Sequence, residues 1–273
     1  MISSPSVVYF CMGGSFSAIT LRMLIEGGIK ISAIIFPRQL SDDFGLISMP
    51  QIIPQSNNIP ILNMAISETP YQIASKYSVP VFSVGKFNQK AIGEINSLHS
   101  NTLITVCFPR KITKAVLHNF KEKSINLHPS LLPKYKGPSP TFWQFKNGEK
   151  DFGVSIHNMT EKFDSGEVIS QTMVPMPTGV YSSRVDEILA EQGGSLLVEY
   201  LLHGKQLFVD KNIALSSYQG KPSHADKEIK LSWGVKRAFN FVRGAQEYAP
   251  FWVINTNNLK LHILDAISFS LGE

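Results

Sequence analysis

The chain of 273 residues is long enough for one large domain with a small appendage, and its 43% hydrophobic and 17% charged residues exclude intrinsic disorder. Twenty-six Lys and Arg against 21 Asp and Glu give a formal charge of +5, which suits an anionic substrate or nucleic acid but is diagnostic of neither. No apolar run reaches the ~18 to 20 residues of a membrane span and Met1 to Ser6 lacks the basic start of a secretory signal, so a cytoplasmic protein without a membrane partner is expected.

Ser6 to Met12 is a short β-branched and aromatic run that ends at Gly13 and Gly14. Ser15 to Glu26 follows with Ala18, Leu21, Leu24 and Ile25 at helical spacing, and Ile31 to Phe36 reads as a second buried strand. Strand, glycine turn, helix and strand make one parallel βαβ unit, which predicts an α/β sheet. The glycine pair lacks the G-x-G-x-x-G of a dinucleotide site, so no nicotinamide cofactor is expected. Residues 37 to 66 are rich in Ser, Pro, Asn and Gln without periodicity and predict a long irregular excursion.

Alternation then resumes, with helices expected over 71–77 and 90–98 and strands over 80–84 and 102–107. Cys11 and Cys107 both lie in apolar runs and are expected to be small, reduced, buried core residues. A helix is predicted over 112–120, a short strand over 124–127, a proline- and glycine-rich loop over 130–139 and a helix starting at Thr141. Strands are predicted over 152–159 and 168–174, the second with one exposed face. A long amphipathic helix over 183–203 is interrupted only by Gly193 and Gly194. After a polar linker from Tyr218 come a basic helix over 231–242 and strands over 251–255 and 259–268. The expected division is a main domain over 1–205, a linker over 206–230 and a β-rich subdomain over 231–273.

The chemistry concentrates in Ile125 to Gly137, INLHPSLLPKYKG. Asn126 and His128 flank Leu127, and in an extended segment that spacing points both side chains to one face. An amide N–H can hold a carbonyl oxygen as it becomes an oxyanion, and an imidazole can take or give a proton near neutrality, so the pair suits acyl transfer.

The wider pattern resembles the formyltransferase family: Asn126, His128, the SLLP-x-Y-x-G segment from Ser130 to Gly137, and FDSG from Phe163 to Gly166. Thirty-eight positions separate Asn126 from Asp164, as in that family. The resemblance implies an α/β, Rossmann-like, doubly wound sheet with the active site at the carboxyl ends of its strands and a small, truncated C-terminal β-rich subdomain. It also implies 10-formyltetrahydrofolate as co-substrate, a primary amine as acceptor, and no metal. Asn126 would hold the oxyanion, His128 would bind the same oxygen or relay the amine proton to the departing N10, and Asp164 would orient the imidazole and raise its basicity. Phe108, Arg110, Ile112, Leu132 and Pro133 would line the folate pocket, mostly through backbone groups. Arg110, just beyond a buried strand, needs an anion or solvent.

For the acceptor, the stretch from Ser223 resembles the linker and first part of the C-terminal barrel of the family's methionyl-tRNA enzymes, including Leu231 and Trp233. The amino group of initiator methionyl-tRNA is therefore the leading expectation, with Lys236, Arg237 and Arg243 either meeting phosphates or solvating a helix face. Two features depart from it: residues 38–56 carry Arg38 but also Asp42 and Asp43 and no lysine, and the sequence stops at Glu273, short of the strands of a full barrel. A nucleotide-linked amino sugar is the alternative acceptor. A non-catalytic folate-binding module is the alternative role.

Overall fold

The computed structural model describes residues 5–38, 47–48, 68–120, 123–207 and 216–270. Most of the irregular excursion expected over 37–66 lies outside the described residues.

The predicted opening is present as β1 (Ser6–Cys11), α1 (Ser15–Glu26) and β2 (Lys30–Pro37), with β1 and β2 parallel. The two-residue β3 (Ile47–Ser48) runs antiparallel to β4 (Val81–Val84). Between them α2 (Pro70–Lys76) starts at a capping box, in which Thr69 Oγ1 accepts the Gln72 N–H at 3.2 Å and the Gln72 side chain accepts the Thr69 N–H at 2.8 Å. Next come α3 (Gln89–Asn96), β5 (Thr102–Val106), α4 (Lys114–Leu117) and β6 (Lys123–His128). The main sheet is completed by α5 (Pro140–Asn147), β7 (Asp151–Asn158), β8 (Val168–Pro175) and α6 (Ser182–His203). The tail adds α7 (Val235–Gly244) and a two-stranded antiparallel sheet of β9 (Phe251–Ile254) and β10 (Lys260–Ile263).

The main sheet has eight strands in the order β3-β4-β2-β1-β5-β6-β7-β8. The chain winds outward from β1 in one direction and returns to β5 on its other side, so β1 and β5 border the topological switch point. Strand alternation sends Val7, Tyr9 and Cys11 to a core shared with α1, α2, α5 and α6, and Val8 and Phe10 to one shared with α3 and α4. The sheet is mixed, parallel from β4 through β2, β1 and β5 to β6 and antiparallel at β3, β7 and β8, and both faces of its doubly wound parallel part are covered.

Several expectations are corrected. The helix predicted over 112–120 is confined to Lys114–Leu117, because Asn119 and Phe120 turn to i−3 carbonyls and tighten the chain into 3-10 geometry. Cys107 is exposed at the end of β5 with a left-handed φ of 54°, so only Cys11 is a core thiol. The exposed face predicted for the strand over 168–174 is missing at Ser170 and Gln171, which are fully buried. Ser170 Oγ accepts the Leu207 N–H at 2.7 Å, and the Gln171 amide donates to the Leu132 carbonyl at 2.5 Å. The tail helix starts at Val235, because Leu231 to Gly234 forms a turn, and β10 ends at Ile263, well short of Ser268.

Gly193 and Gly194 do not interrupt α6, which runs unbroken through them. They let the helix lie close to the sheet and to α1: a Cβ on Gly193 would come within 2.7 Å of the Leu127 side chain, and one on Gly194 within 2.6 Å of Met23 Sδ. In the tail, Phe241 stacks edge-on against Phe142 of α5 at 5.3 Å and lies 4.8 Å from Phe251, which joins the tail to the principal core. Among the described residues no helix is long and apolar enough to cross a membrane.

Leu127 sits between Asn126 and His128, so the fit of α6 against it bears on the site as well as on stability. Replacing Gly193 by Val should overpack this contact and lower unfolding stability by ~1 to 3 kcal/mol, read from the urea midpoint at constant m-value. An unchanged midpoint would contradict the close approach.

Candidate active site

Asn126 and His128 end β6 on its carboxyl side, next to β5. The register sets Thr105 of β5, Asn126 of β6 and His157 of β7 directly across from one another. Their side chains are joined along that row: Thr105 Oγ1–H donates to Asn126 Oδ1 at 2.6 Å, and Asn126 Nδ2–H reaches His157 Nε2 at 3.0 Å. His157 can accept there because its other ring nitrogen, Nδ1, faces the Asn158 carbonyl at 2.8 Å and carries the proton. The amide is therefore fixed with its oxygen toward Thr105 and its nitrogen toward His157. One N–H of the pair is used and the second is left to meet a ligand.

His128 is buried, and its Nε2–H donates to the Tyr135 carbonyl at 2.9 Å. That leaves Nδ1 as the nitrogen that takes up a proton, 3.5 Å from Asp164 Oδ1. Asp164 Oδ1 also lies 3.8 Å from His157 Nε2, while Oδ2 accepts the Gly137 N–H at 2.9 Å. A positive charge on His128 would thus meet a carboxylate that is already anchored. Asp164 adopts a left-handed φ of 50°, sparsely populated for a residue with a Cβ, and Gly166 just after it packs so closely that a Cβ would fall on the Asn158 carbonyl oxygen.

The loop over 130–139 is held by hydrogen bonds on nearly every residue. Ser155 Oγ–H donates to the Ser130 carbonyl at 2.6 Å and accepts the Leu132 N–H at 3.0 Å. The Gln144 amide holds the Pro129 carbonyl at 3.0 Å, and the Ser217 N–H holds the Pro133 carbonyl at 3.1 Å. An irregular segment at this depth persists only when its polar groups are paired in this way. The loop is thus a rigid neighbour of Asn126 and His128.

The remaining sequence-predicted residues form the surroundings. Phe108 is buried edge-on against Phe10 at 5.3 Å, and Ile112 is buried in the same cluster. Arg110 is half-buried and its guanidinium donates to the Gly85 carbonyl, a backbone partner where an anion or solvent was expected. Leu132 is buried, with its N–H donating to Ser155 Oγ and its carbonyl accepting from the Gln171 amide, and the Pro133 carbonyl accepts the Ser217 N–H. Arg237 donates to the Lys146 carbonyl at the end of α5, and Arg243 donates to the carbonyls of Gly179 at 2.5 Å and Ala266 at 3.1 Å. Both arginines thus hold backbone carbonyls of other segments of the protein.

Sequence reasoning missed Thr105 and His157. The signal for His157 was its place in an alternating strand two residues beyond Ser155, but nothing in the sequence gives the register that sets it beside Asn126.

A family model described as formyl transferase matches residues 45–201, more than half of the chain. The chain belongs to the formyl transferase family. A methionyl-tRNA formyltransferase from Lactobacillus johnsonii is 27% identical over 246 residues, which cover 87% of this chain and 72% of that protein. Among solved structures, a sugar N-formyltransferase from a Shewanella species shares the fold with a TM-score of 0.62 at 16% identity, covering 98% of this chain and 99% of that one. An N-formyltransferase from Helicobacter canadensis, solved in complex with folinic acid and dTDP-3-aminofucose, matches with a TM-score of 0.57 at 16% identity, covering 87% and 79% of the two chains. The protein is a formyltransferase of Rossmann-like α/β fold.

Among the groups with displaced acidities in this formyltransferase are His157 and Asp186. Burial, reinforced by nearby His128, lowers the His157 imidazole to about 4, so it is neutral at pH 7 and keeps the lone pair that Asn126 uses. Burial, followed by the neighbouring Glu247 carboxylate, raises Asp186 to about 7 despite a 3.4 Å hydrogen bond from Ser15.

Replacing His157 by Phe should free the amide of Asn126 and lower kcat by ~10- to 100-fold with a smaller change in KM, whereas Gln, which can still accept at its carbonyl, should restore part of the rate. Equal kcat values for both variants and wild type would remove His157 from the site. For Asp186, the folded state keeps a proton that the unfolded chain has already released, so the neutral acid's contribution is present at low pH and lost as pH rises through about 7. Asp186→Asn should therefore gain stability over wild type at pH 8 and lose that advantage toward pH 5, as read from urea midpoints; a gap independent of pH would refute the raised acidity.

Proposed function

We propose that this formyltransferase moves the formyl group of 10-formyltetrahydrofolate to a primary amine, with Asn126, His128 and Asp164 carrying the transfer. The reading rests on one observation above the others: the amide of Asn126, fixed by Thr105 and His157, stands beside an imidazole whose open nitrogen faces Asp164. The folinic acid bound to the Helicobacter canadensis neighbour supports a folate donor.

The neutral amine attacks the formyl carbon and forms the new C–N bond, while the carbonyl electrons move to the formyl oxygen. The free N–H of Asn126 stabilises that oxyanion, an effect worth ~3 kcal/mol in comparable sites. The proton released by the amine passes to His128 Nδ1, where Asp164 stabilises the resulting imidazolium. Collapse of the tetrahedral carbon breaks its bond to N10, and His128 returns the proton to that nitrogen. The products are the N-formyl acceptor and tetrahydrofolate, and atoms and charge balance.

The amino group of methionyl-tRNA is the leading acceptor, supported by the 27% identity to the Lactobacillus johnsonii enzyme over most of the chain. The internal engagement of Arg237 and Arg243 favours a second reading, a nucleotide-linked amino sugar, because two cations that would otherwise be offered to tRNA phosphates already hold carbonyls.

With 10-formyltetrahydrofolate and the correct amine, Asn126→Ala should lose ~100- to 1000-fold in kcat, His128→Ala at least as much, and Asp164→Asn a substantial part. Full activity of all three variants would sink the assignment. Release of tetrahydrofolate with methionyl-tRNA and none with nucleotide-linked amino sugars selects the first acceptor; the opposite pattern selects the second.

A further inference from the structure

Two backbone groups hold His128 and Asp164. The Tyr135 carbonyl accepts the His128 Nε2–H at 2.9 Å, and the Gly137 N–H donates to Asp164 Oδ2 at 2.9 Å. Both groups belong to the loop after β6 and not to the sheet. Residues 217–219, in the polar stretch between α6 and α7, run alongside that loop in parallel, with Lys136 opposite Tyr218. The Lys136 N–H donates to the Ser217 carbonyl at 3.0 Å, and the Gln219 N–H donates to the Lys136 carbonyl at 2.9 Å. Ser217 Oγ accepts the Tyr135 N–H at 2.9 Å.

A peptide unit is planar, so holding its N–H fixes the direction of its carbonyl. The unit joining Tyr135 to Lys136 meets His128 at its carbonyl and Ser217 at its N–H. The next unit, joining Lys136 to Gly137, meets Asp164 at its N–H and Gln219 at its carbonyl. Each of the two side chains is therefore connected to residues 217–219 through one rigid plate. The fit is close: Gly137 has a φ of 117°, and a Cβ there would fall on the Gln219 carbonyl oxygen. Helix α5 pins the far end of the segment, with Trp143 Nε1–H donating to the Gly220 carbonyl at 2.9 Å and Lys146 Nζ donating to Asp226 Oδ1 at 2.8 Å.

The direction of the Tyr135 carbonyl matters because a second acceptor faces the other side of the imidazole. Asp164 Oδ1 lies 3.5 Å from Nδ1. A neutral ring with its proton on Nδ1 would point that proton at the carboxylate and could not take up another there. The Tyr135 carbonyl favours the proton on Nε2 and so keeps Nδ1 open.

We infer that Ser217 and Gln219 are positioning residues for the acid–base step. They set the Tyr135 carbonyl and the Gly137 N–H, and through these the tautomer of His128 and the place of Asp164. The inference rests on the roles assigned to His128 and Asp164 above, and it adds to the site a segment 82 positions downstream of Tyr135.

The test uses Ser217→Ala/Gln219→Pro, which removes the Oγ that accepts the Tyr135 N–H and the N–H that holds the Lys136 carbonyl, beside Ser217→Thr, which keeps the hydroxyl. The full chain is isotope-labelled at its seven histidines, and the His128 signal is assigned by its loss in His128→Ala. At alkaline pH, where an imidazole is neutral, wild type and Ser217→Thr should show the Nε2–H tautomer, and the double variant should gain the Nδ1–H form. In turnover the double variant should lose ~10-fold in kcat with a change in KM of about two-fold or less, while Ser217→Thr keeps most of the rate. Ser217→Ala alone should show both changes in smaller measure, which keeps the comparison available if the double variant does not fold. An unchanged tautomer would overturn the inference whatever happens to the rate, because a segment that only stabilises the fold changes the folded fraction and not the tautomer. A changed tautomer with an unchanged kcat would overturn it too. The tautomer is read without donor or amine, so wild type that fails to turn over 10-formyltetrahydrofolate would sink the folate reading and leave the positioning of His128 to be decided by the tautomer.

Discussion

Hydrogen bonding across the sheet at one level, from Thr105 through Asn126 to His157, is the constraint on which the site depends. An asparagine amide can rotate and exchange its oxygen for its nitrogen at little cost, and in the exchanged orientation it would offer an acceptor where an oxyanion needs a donor. A hydroxyl on one side and an imidazole lone pair on the other make the exchange unfavourable. The lock works only while His157 is neutral, and burial between β6 and β8 keeps it so. Sheet register and side-chain acidity are thus parts of one device.

The same economy governs the loop that follows. Ser155, Gln144 and Gln171 are buried polar residues whose task is to satisfy carbonyls and N–H groups of residues 129–133. Removing any one of them would leave an unpaired backbone group in a dry interior, a cost larger than the net value of a typical hydrogen bond. The buried acid Asp186 works against stability at alkaline pH, and the buried imidazole His157 works against it at acid pH. Charge burial at the carboxyl ends of the strands therefore presses on stability from both sides of neutrality.

Much of the frame was legible in the sequence because it follows from local periodicity: β1, α1 and β2 are where alternation and helical spacing put them. Asn126, His128 and Asp164 were legible because two of them share a strand face and the third sits in a recognisable short motif. Thr105 and His157 were not, since they lie 21 and 31 positions from Asn126 and meet it only through the pairing of three strands. The errors have a similar origin. Ser170 and Gln171 look like an exposed strand face until their partners, Leu207 and Leu132, are known. Cys107 sits in an apolar run, yet the chain turns at that residue into a left-handed conformation and carries it out of the core. The carbonyls that Arg237 and Arg243 hold belong to distant segments and are not visible from the basic helix alone.

The aromatic contact between α5 and the tail has a consequence for how the protein is made. Phe142 of α5 is completed by Phe241, by Tyr248 at 4.9 Å and, through Phe241, by Phe251. A ribosome delivers these partners long after α5 itself has emerged, so the helix that anchors the loop after His128 must wait, half-packed, for residues about a hundred positions downstream. Until they arrive, Phe142 lacks its aromatic partners and adds to an apolar surface of the kind that invites aggregation. Synthesis speed through the second half of the chain then sets how long this vulnerable state lasts.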